Sequence, residues 1–328
     1  MIKSVDKKFG WCFIGTGSLA RMVAKQLIDS GRHEIISCYT RNPDKGEQFA
    51  NNFGCESYRS AEEAMTAPGV EGVYIVTPHN AHYRYALQSI ELGKPTFVEK
   101  AFTVTAEETD RLISLANERG VYLAEAMWTW FSPSANGVKD WVDSGKIGRI
   151  RSADFTYHFK TTGRNDRHED KRRAGGALLD ITIYPITYAY RLWGMPIGIE
   201  ASGTLRNGID LGEEITLSYP NFKVNISGSI DDFRGLEWMR IYGEGGEISS
   251  FMYHCTKGAT CKTKGRRQRL RVGGPLFNSY LDEFDAVARD VREGRVESSL
   301  VPLRATSDVM HILDEIRRQI GLTYDDLE

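Results

Sequence analysis

The apolar positions of this chain follow two rhythms. Over the first 125 residues, short solid apolar runs alternate with stretches of helical spacing. Phe9–Ile14 is one such run, and Ser18–Asp29 repeats its apolar residues every three or four positions. Glu34–Thr40, Val73–Thr77, Thr96–Val98 and Val121–Ala124 read as further strands. Pro43–Asn52 and Asn80–Leu92 read as helices, the second with Asn80 as its N-cap. Thr105 and Glu108 form a capping box that opens another helix, which Gly120 closes. Strands separated by helices predict an α/β domain built on a doubly wound parallel sheet.

After about residue 150 the pattern changes. Ala153, Phe155, Tyr157 and Phe159 alternate with polar neighbours, so one strand face is predicted to be wet or to meet a partner. Glu214–Tyr219 and Phe222–Ile230 predict a hairpin about Pro220-Asn221. Leu236–Tyr242 and Glu247–Met252 predict a second about Gly243–Gly246. Helical stretches Asn278–Arg292 and Leu303–Ile320 finish the chain. The expected second half is an α+β domain with a large, mostly antiparallel open sheet. The expected division is 1–125 and 126–328, with the last helix, 303–320, packing back on the N-terminal domain.

Composition narrows the function. The chain has 328 residues, 41% of them apolar, enough for two cores. A net charge of −2 points away from nucleic acid and anionic membranes. The basic run CKTKGRRQRLR (261–271) lacks interleaved aromatic residues, and a solvated hairpin is expected there. No apolar run approaches the roughly 20 residues of a membrane helix. The N-terminal segment is too polar for a signal peptide, and the five cysteines form no CxxC, so a cytoplasmic protein with reduced thiols is expected. His79 and His82 have no paired cysteine or carboxylate to complete a ligand set, so no metal is expected.

Gly15-Thr16-Gly17-Ser18-Leu19-Ala20 joins the first strand to the first helix in the form G-x-G-x-x-A, the sequence mark of a dinucleotide-binding Rossmann turn. Two glycines allow a tight turn and close approach of a pyrophosphate to the helix N-terminus. The second strand ends Tyr39-Thr40-Arg41-Asn42, without the carboxylate that binds a ribose 2′-hydroxyl. Thr40 and Arg41 suit a 2′-phosphate instead, so NADP is expected over NAD. At two neighbouring strand ends stand Thr77-Pro78-His79-Asn80-Ala81-His82 and Glu99-Lys100, at the edge where such a sheet binds its ligand. Lys100 beside Glu99 can act as acid, base or electrostatic clamp. Asp180 lies in the apolar stretch Leu178–Trp193 and, if that stretch is helical, shares a face with Tyr184, although Pro185 biases Tyr184 away from helical geometry.

Together, GTGSLA, VTPHNAH, VEKAF, EAMWTWFSP and GGALLDITIY resemble the glucose–fructose oxidoreductase/inositol dehydrogenase (Gfo/Idh/MocA) family over essentially the whole chain. The likeness is greatest to its dimeric dihydrodiol dehydrogenase-like branch. The resemblance implies hydride transfer between NAD(P) and a hydroxyl-bearing carbon of a small sugar, cyclitol or diol. By position, Lys100 polarises or protonates the substrate oxygen, Tyr184 is the acid/base and Asp180 orients the substrate. Glu99 lies by the nicotinamide, and Lys100 and Tyr184 meet at one reactive carbon. It also implies a homodimer or tetramer through the open sheet. The alternative within the family is a catalytically silent NAD(P)-sensing regulator; an enzyme acting on an amino or keto acid is a third possibility. Three positions depart from the pattern. Ala101 replaces a proline that is often cis, which leaves the geometry of the Lys100–Ala101 bond open. Trp130 stands where the branch often has Arg. The loop Arg164–Arg173 is dense in charge, solvated in one reading and sending Arg172 or Arg173 to a ligand in the other.

Overall fold

The computed structural model describes residues 7–161, 167–233, 236–255, 257–273, 279–325 and 327. They form two compact units. The first comprises residues up to 103, 107–127 and 280–303; the second comprises 104–106, 128–279 and 304 onward.

The first unit is built on six parallel strands: β1 (Phe9–Ile14), β2 (His33–Tyr39), β3 (Glu56–Tyr58), β4 (Gly72–Ile75), β5 (Thr96–Glu99) and β6 (Leu123–Ala126), in the order β3-β2-β1-β4-β5-β6. Helices α1 (Ser18–Ser30), α2 (Pro43–Phe53), α3 (Ala61–Thr66), α4 (His82–Glu91) and α5 (Ala106–Arg119) connect them. β1, β4, β5 and β6 are buried at every position, as strands covered on both faces must be. The order reverses beside β1, which opens a crevice past the carboxyl ends of the strands. A later helix, α8 (Ser279–Arg292), completes the aromatic core. Its Phe284 ring meets Trp11, Tyr74 and Phe97 edge-on at 4.8, 4.8 and 5.2 Å. Asn278, expected to begin this helix, lies outside the described residues.

The second unit carries an eight-stranded sheet. Its strands are β7 (Ile150–His158), β8 (Gly198–Arg206), β9 (Ile209–Tyr219), β10 (Phe222–Ser229), β11 (Glu237–Gly243), β12 (Gly246–Phe251), β13 (Gly258–Thr263) and β14 (Arg266–Arg271). The order is β14-β13-β12-β11-β7-β10-β9-β8, antiparallel except where β7 meets β10. Both expected hairpins are present, and the basic run forms a third, β13–β14. Its helices are α6 (Pro133–Asp143), α7 (Ile183–Trp193) and most of α9 (Leu303–Ile320). Gln319 of α9 bonds the backbone of Ile199 and Ala201 in β8. None of the described helices is long and apolar enough to cross a membrane.

Two local expectations change, and one point left open is answered. Asn80 does not cap α4: it lies inside a one-turn 3₁₀ helix, His79–Ala81, and α4 starts at His82. Tyr184 is helical despite Pro185: the π-turn Leu178–Thr182 runs directly into α7, and a proline inside a helix is accompanied by such a local irregularity. The Lys100–Ala101 bond is cis.

Candidate active site

In the first unit, the chain leaves β1 through Gly15, whose φ of +113° only glycine adopts freely. A Cβ there would stand 2.5 Å from the Val76 carbonyl oxygen. Gly17 follows as the N-cap of α1, with no side-chain cap and nothing within 4 Å of the place a Cβ would take. Thr16 is buried and Ser18 exposed; Leu19 is half-buried, and Ala20 is packed against the sheet. The helix start therefore presents open backbone N–H groups and a positive dipole end, with no acidic residue in the first turn. At the end of β2, Thr40 is half-buried and Arg41 exposed, and Asn42 caps α2 by accepting from the Lys45 N–H at 3.2 Å.

Past β4, the Thr77 hydroxyl is buried without a hydrogen-bond partner among the described residues. Pro78 is exposed, and the buried His79 ring meets His82 edge-on at 5.6 Å. His82 is fully buried, its Nδ1 2.8 Å from the Ala101 carbonyl and its Nε2 2.9 Å from the Thr77 carbonyl. One ring thus ties the end of β4 to the segment after β5. Burial pushes its pKa down, helped by the Lys100 charge and opposed by the two carbonyls.

The Glu99 carboxylate, 3% exposed, accepts from the Tyr74 hydroxyl at 2.6 Å and from the Lys100 backbone N–H at 3.2 Å. Burial and the adjacent Glu99 charge raise Tyr74 well above its ordinary value, which keeps it a donor. Glu99 is thereby fixed at the strand end, and Lys100, half-buried, follows it at the mouth of the crevice.

A dinucleotide fits these residues on three counts. The Gly15 turn is a cradle that a Cβ would fill, α1 offers uncapped N–H groups, and Thr77 holds an orphaned hydroxyl at the neighbouring strand end.

In the second unit, Asp180 and Tyr184 come from one continuous helical segment. Leu178–Thr182 is a single π-turn that runs directly into α7. Such turns insert an extra residue into a helix and often mark functional positions. This one is held from below by buried carboxyls. Asp210 accepts from the Leu178 N–H at 2.5 Å, and Glu213 accepts from the Thr182 hydroxyl at 2.6 Å. Gly176, at φ +129°, is required here because a Cβ would overlap the Asp210 carboxyl. Burial, then the neighbouring Asp210 charge, raises Glu213 well above its ordinary value.

Asp180 is 4% exposed and contacts His168 Nε2. The Tyr184 hydroxyl accepts from Trp128 Nε1 at 3.1 Å, and the two rings meet at 81°. That N–H occupies a lone pair of the phenol oxygen and stabilises negative charge on it. Trp130 is buried under the Arg191 guanidinium, 5.2 Å from its ring centre. Arg172 and Arg173 lie against Asp170, while Arg164 lies outside the described residues. The described residues contain no group of three or more His, Cys, Asp or Glu side chains able to hold a metal ion.

The structure therefore gathers Gly15–Leu19, Thr40, Arg41, Thr77–His79, His82, Glu99 and Lys100 at the strand ends of the first unit. Asp180 and Tyr184 stand together in the second. Sequence reasoning missed His168, the partner of Asp180, and the support from Trp128, Asp210 and Glu213. His168 lies in a charged loop where nothing distinguishes it from its neighbours, and the two carboxyls read as ordinary strand polarity.

Comparison with known proteins agrees with this architecture. Residues 9–127 match the Gfo/Idh/MocA model described as "Oxidoreductase family, NAD-binding Rossmann fold", and residues 136–249 match the family's C-terminal domain. The chain is 28% identical to the D-xylose 1-dehydrogenase (NADP(+)) of Hypocrea jecorina, covering 97% of this chain and 93% of that protein. It is also 28% identical to the trans-1,2-dihydrobenzene-1,2-diol dehydrogenase of Mus musculus, over 96% of this chain and 97% of that one. The fold matches that of the aldose-aldose oxidoreductase from Caulobacter crescentus with a TM-score of 0.85 at 18% identity, covering 96% and 98% of the two chains. With both of its halves matched, the chain belongs to the Gfo/Idh/MocA family of NAD(P)-dependent oxidoreductases that act on sugars and diols.

Proposed function

We propose that this protein is an NADP-preferring dehydrogenase or reductase acting on a carbinol of a small sugar, cyclitol or diol, with Lys100, Asp180 and Tyr184 as its working side chains. The observation that carries the reading is the tyrosine's setting: a phenol oxygen that already accepts an indole N–H, one turn from a buried carboxylate. The bound nicotinamide supplies the hydride acceptor or donor. Proton handling falls to the protein. In oxidation the substrate hydroxyl proton passes to Tyr184 as phenolate, which the Trp128 N–H stabilises. In reduction the phenol returns it. Lys100 holds positive charge at the substrate oxygen as negative charge develops there. Asp180, braced by His168, accepts a hydrogen bond from the substrate and fixes its orientation.

The preference for NADP is supported by Arg41 and Thr40 at the end of β2, where no carboxylate stands to select a free ribose. Gly15, Gly17 and the start of α1 take the diphosphate; Thr77–His79 and Glu99 line the nicotinamide side. The outer sheet face, where Trp238 and Phe251 are 37% and 43% exposed and pack at 4.9 Å, supports a homodimer.

The test is turnover with NADP⁺ and NAD⁺ on a panel of pentoses, inositols and cyclic diols, followed at the nicotinamide absorbance. We expect pentose or diol oxidation, faster with NADP⁺. Tight NADP binding without turnover on any substrate overturns the enzyme in favour of a sensor.

A further inference from the structure

Beside Tyr184 the second unit carries a polar cluster that proton transfer at Tyr184 does not require. Glu237 opens β11 directly opposite Tyr157 of β7 and is 5% exposed. Its two oxygens grip one residue: the backbone N–H of His254 lies 2.6 Å from one, and His254 Nδ1 lies 2.6 Å from the other. This bidentate hold fixes the imidazole plane and places a proton on Nδ1. Nε2 is then directed at the Tyr157 hydroxyl, 3.4 Å away, with the two rings stacked at 4.9 Å and 26°. The Tyr184 ring lies 5.5 Å from His254 and 6.0 Å from Tyr157. Trp128 closes the group, edge-on to His254 at 5.6 Å.

An aromatic wall of this shape could be filled by apolar side chains without desolvating a carboxylate. The polar pair instead sets a directed hydrogen-bonding edge beside the proposed acid/base. At 3.4 Å, the Nε2 to hydroxyl contact is long for a hydrogen bond. A substrate hydroxyl placed there would donate to Nε2 and accept from the phenol, exchanging one weak bond for two of ordinary length. The Tyr184 and His254 ring centres are 5.5 Å apart, so this edge is a separate station beside the proposed acid/base.

We propose that Glu237, His254 and Tyr157 form a subsite that reads a hydroxyl of a polyhydroxylated substrate beyond the two that a vicinal diol carries. His254 and Tyr157 touch that hydroxyl; Glu237 is a positioning residue acting through His254. The inference rests on Tyr184 serving the reacting carbon. It specifies an aldose or polyol over a diol whose remaining ring carbons bear only hydrogen. Sites built around a substrate hydroxyl discriminate strongly against analogues that lack it.

The experiment compares kcat/KM on D-xylose and on trans-cyclohexane-1,2-diol, with NADP⁺, for the wild type and His254→Phe. The double variant Glu237→Met/His254→Phe covers the case in which a buried unpaired carboxylate prevents the single variant from folding. We expect either variant to lose at least tenfold more on the pentose than on the diol, chiefly through KM, and His254→Gln to recover part of the difference. Equal losses on both substrates overturn the subsite and leave the parent reading standing. Where the wild type does not turn over these two, the pentose and diol compared are those of the pentose, inositol and cyclic-diol panel that it does turn over; no turnover on any member of that panel with either coenzyme overturns the parent reading and the subsite with it.

Discussion

The two units present side chains in different ways. In the first, the candidate residues stand at the carboxyl ends of parallel strands. Each strand is a solid apolar run, so its end is visible as the point where polarity begins, and Glu99-Lys100 and Thr77–His82 announce themselves. In the second, Asp180 and Tyr184 sit on a π-turn and the helix after it, braced by strands far away in the chain. A parallel sheet sets positions through topology; an antiparallel sheet with a helix across it sets them through individual buried bonds. The first arrangement tolerates changes that leave the strand ends in place, while the second depends on particular carboxyls and hydroxyls.

The sharpest challenge to this contrast takes one residue from each side. Lys100→Met and Tyr184→Phe are each expected to lower kcat by about 10³-fold, within the range for loss of a positioned acid or base. Coenzyme affinity should stay within a few fold in both. The double variant should be little worse than either single one, because groups acting together in one step are not additive. Steady-state kinetics with coenzyme fluorescence titration measures all three, and fully multiplicative losses would show that the two residues serve separate events.

A smaller effect belongs to the first unit alone. Arg41→Ala should weaken NADP by about 10-fold or more, the worth of a charge-assisted phosphate contact, while NAD changes little. Calorimetric titration of both coenzymes decides this; equal losses for the two would place Arg41 away from the 2′ end.

The smallest effect belongs to the second unit. Glu213 has its pKa raised by burial and by Asp210, so it contributes fully below its ordinary value of 4.5 and loses that contribution as pH rises toward the folded value. Glu213→Gln keeps the neutral form and its bond to Thr182 at every pH. The variant and the wild type should therefore melt together near pH 4. Above that, the variant should gain, reaching about 2–4 °C by pH 8. A variant less stable than the wild type at pH 8 would mean that the carboxylate form holds the π-turn.

What could be read from the sequence divides along the same line. The order of strands and helices in the first unit follows from local patterning, and Leu303–Ile320 was expected at its observed limits. β3 and α3 escaped because three strand residues and six helical ones are too short to show a period. In the second unit the hairpins about Pro220-Asn221 and Gly243–Gly246 were legible from their turns. The parallel pairing of β7 with β10 was not, since it joins segments separated by α7 and two strands. His82 showed the limit for single residues. Its position between two strand ends was readable, but both its nitrogens meet backbone carbonyls, and no side-chain pattern encodes those.

Phe284 carries a consequence for biosynthesis. The aromatic centre of the first unit, with Trp11, Tyr74 and Phe97, is closed by a ring that the ribosome delivers only after all the strands of the second sheet have been made. Until then the nascent coenzyme domain has an unfilled hollow on one side of its sheet and exposes apolar surface of the kind that chaperones shield. The second unit waits as well, since α9, whose Gln319 ties to the backbone of β8, follows α8 in the chain.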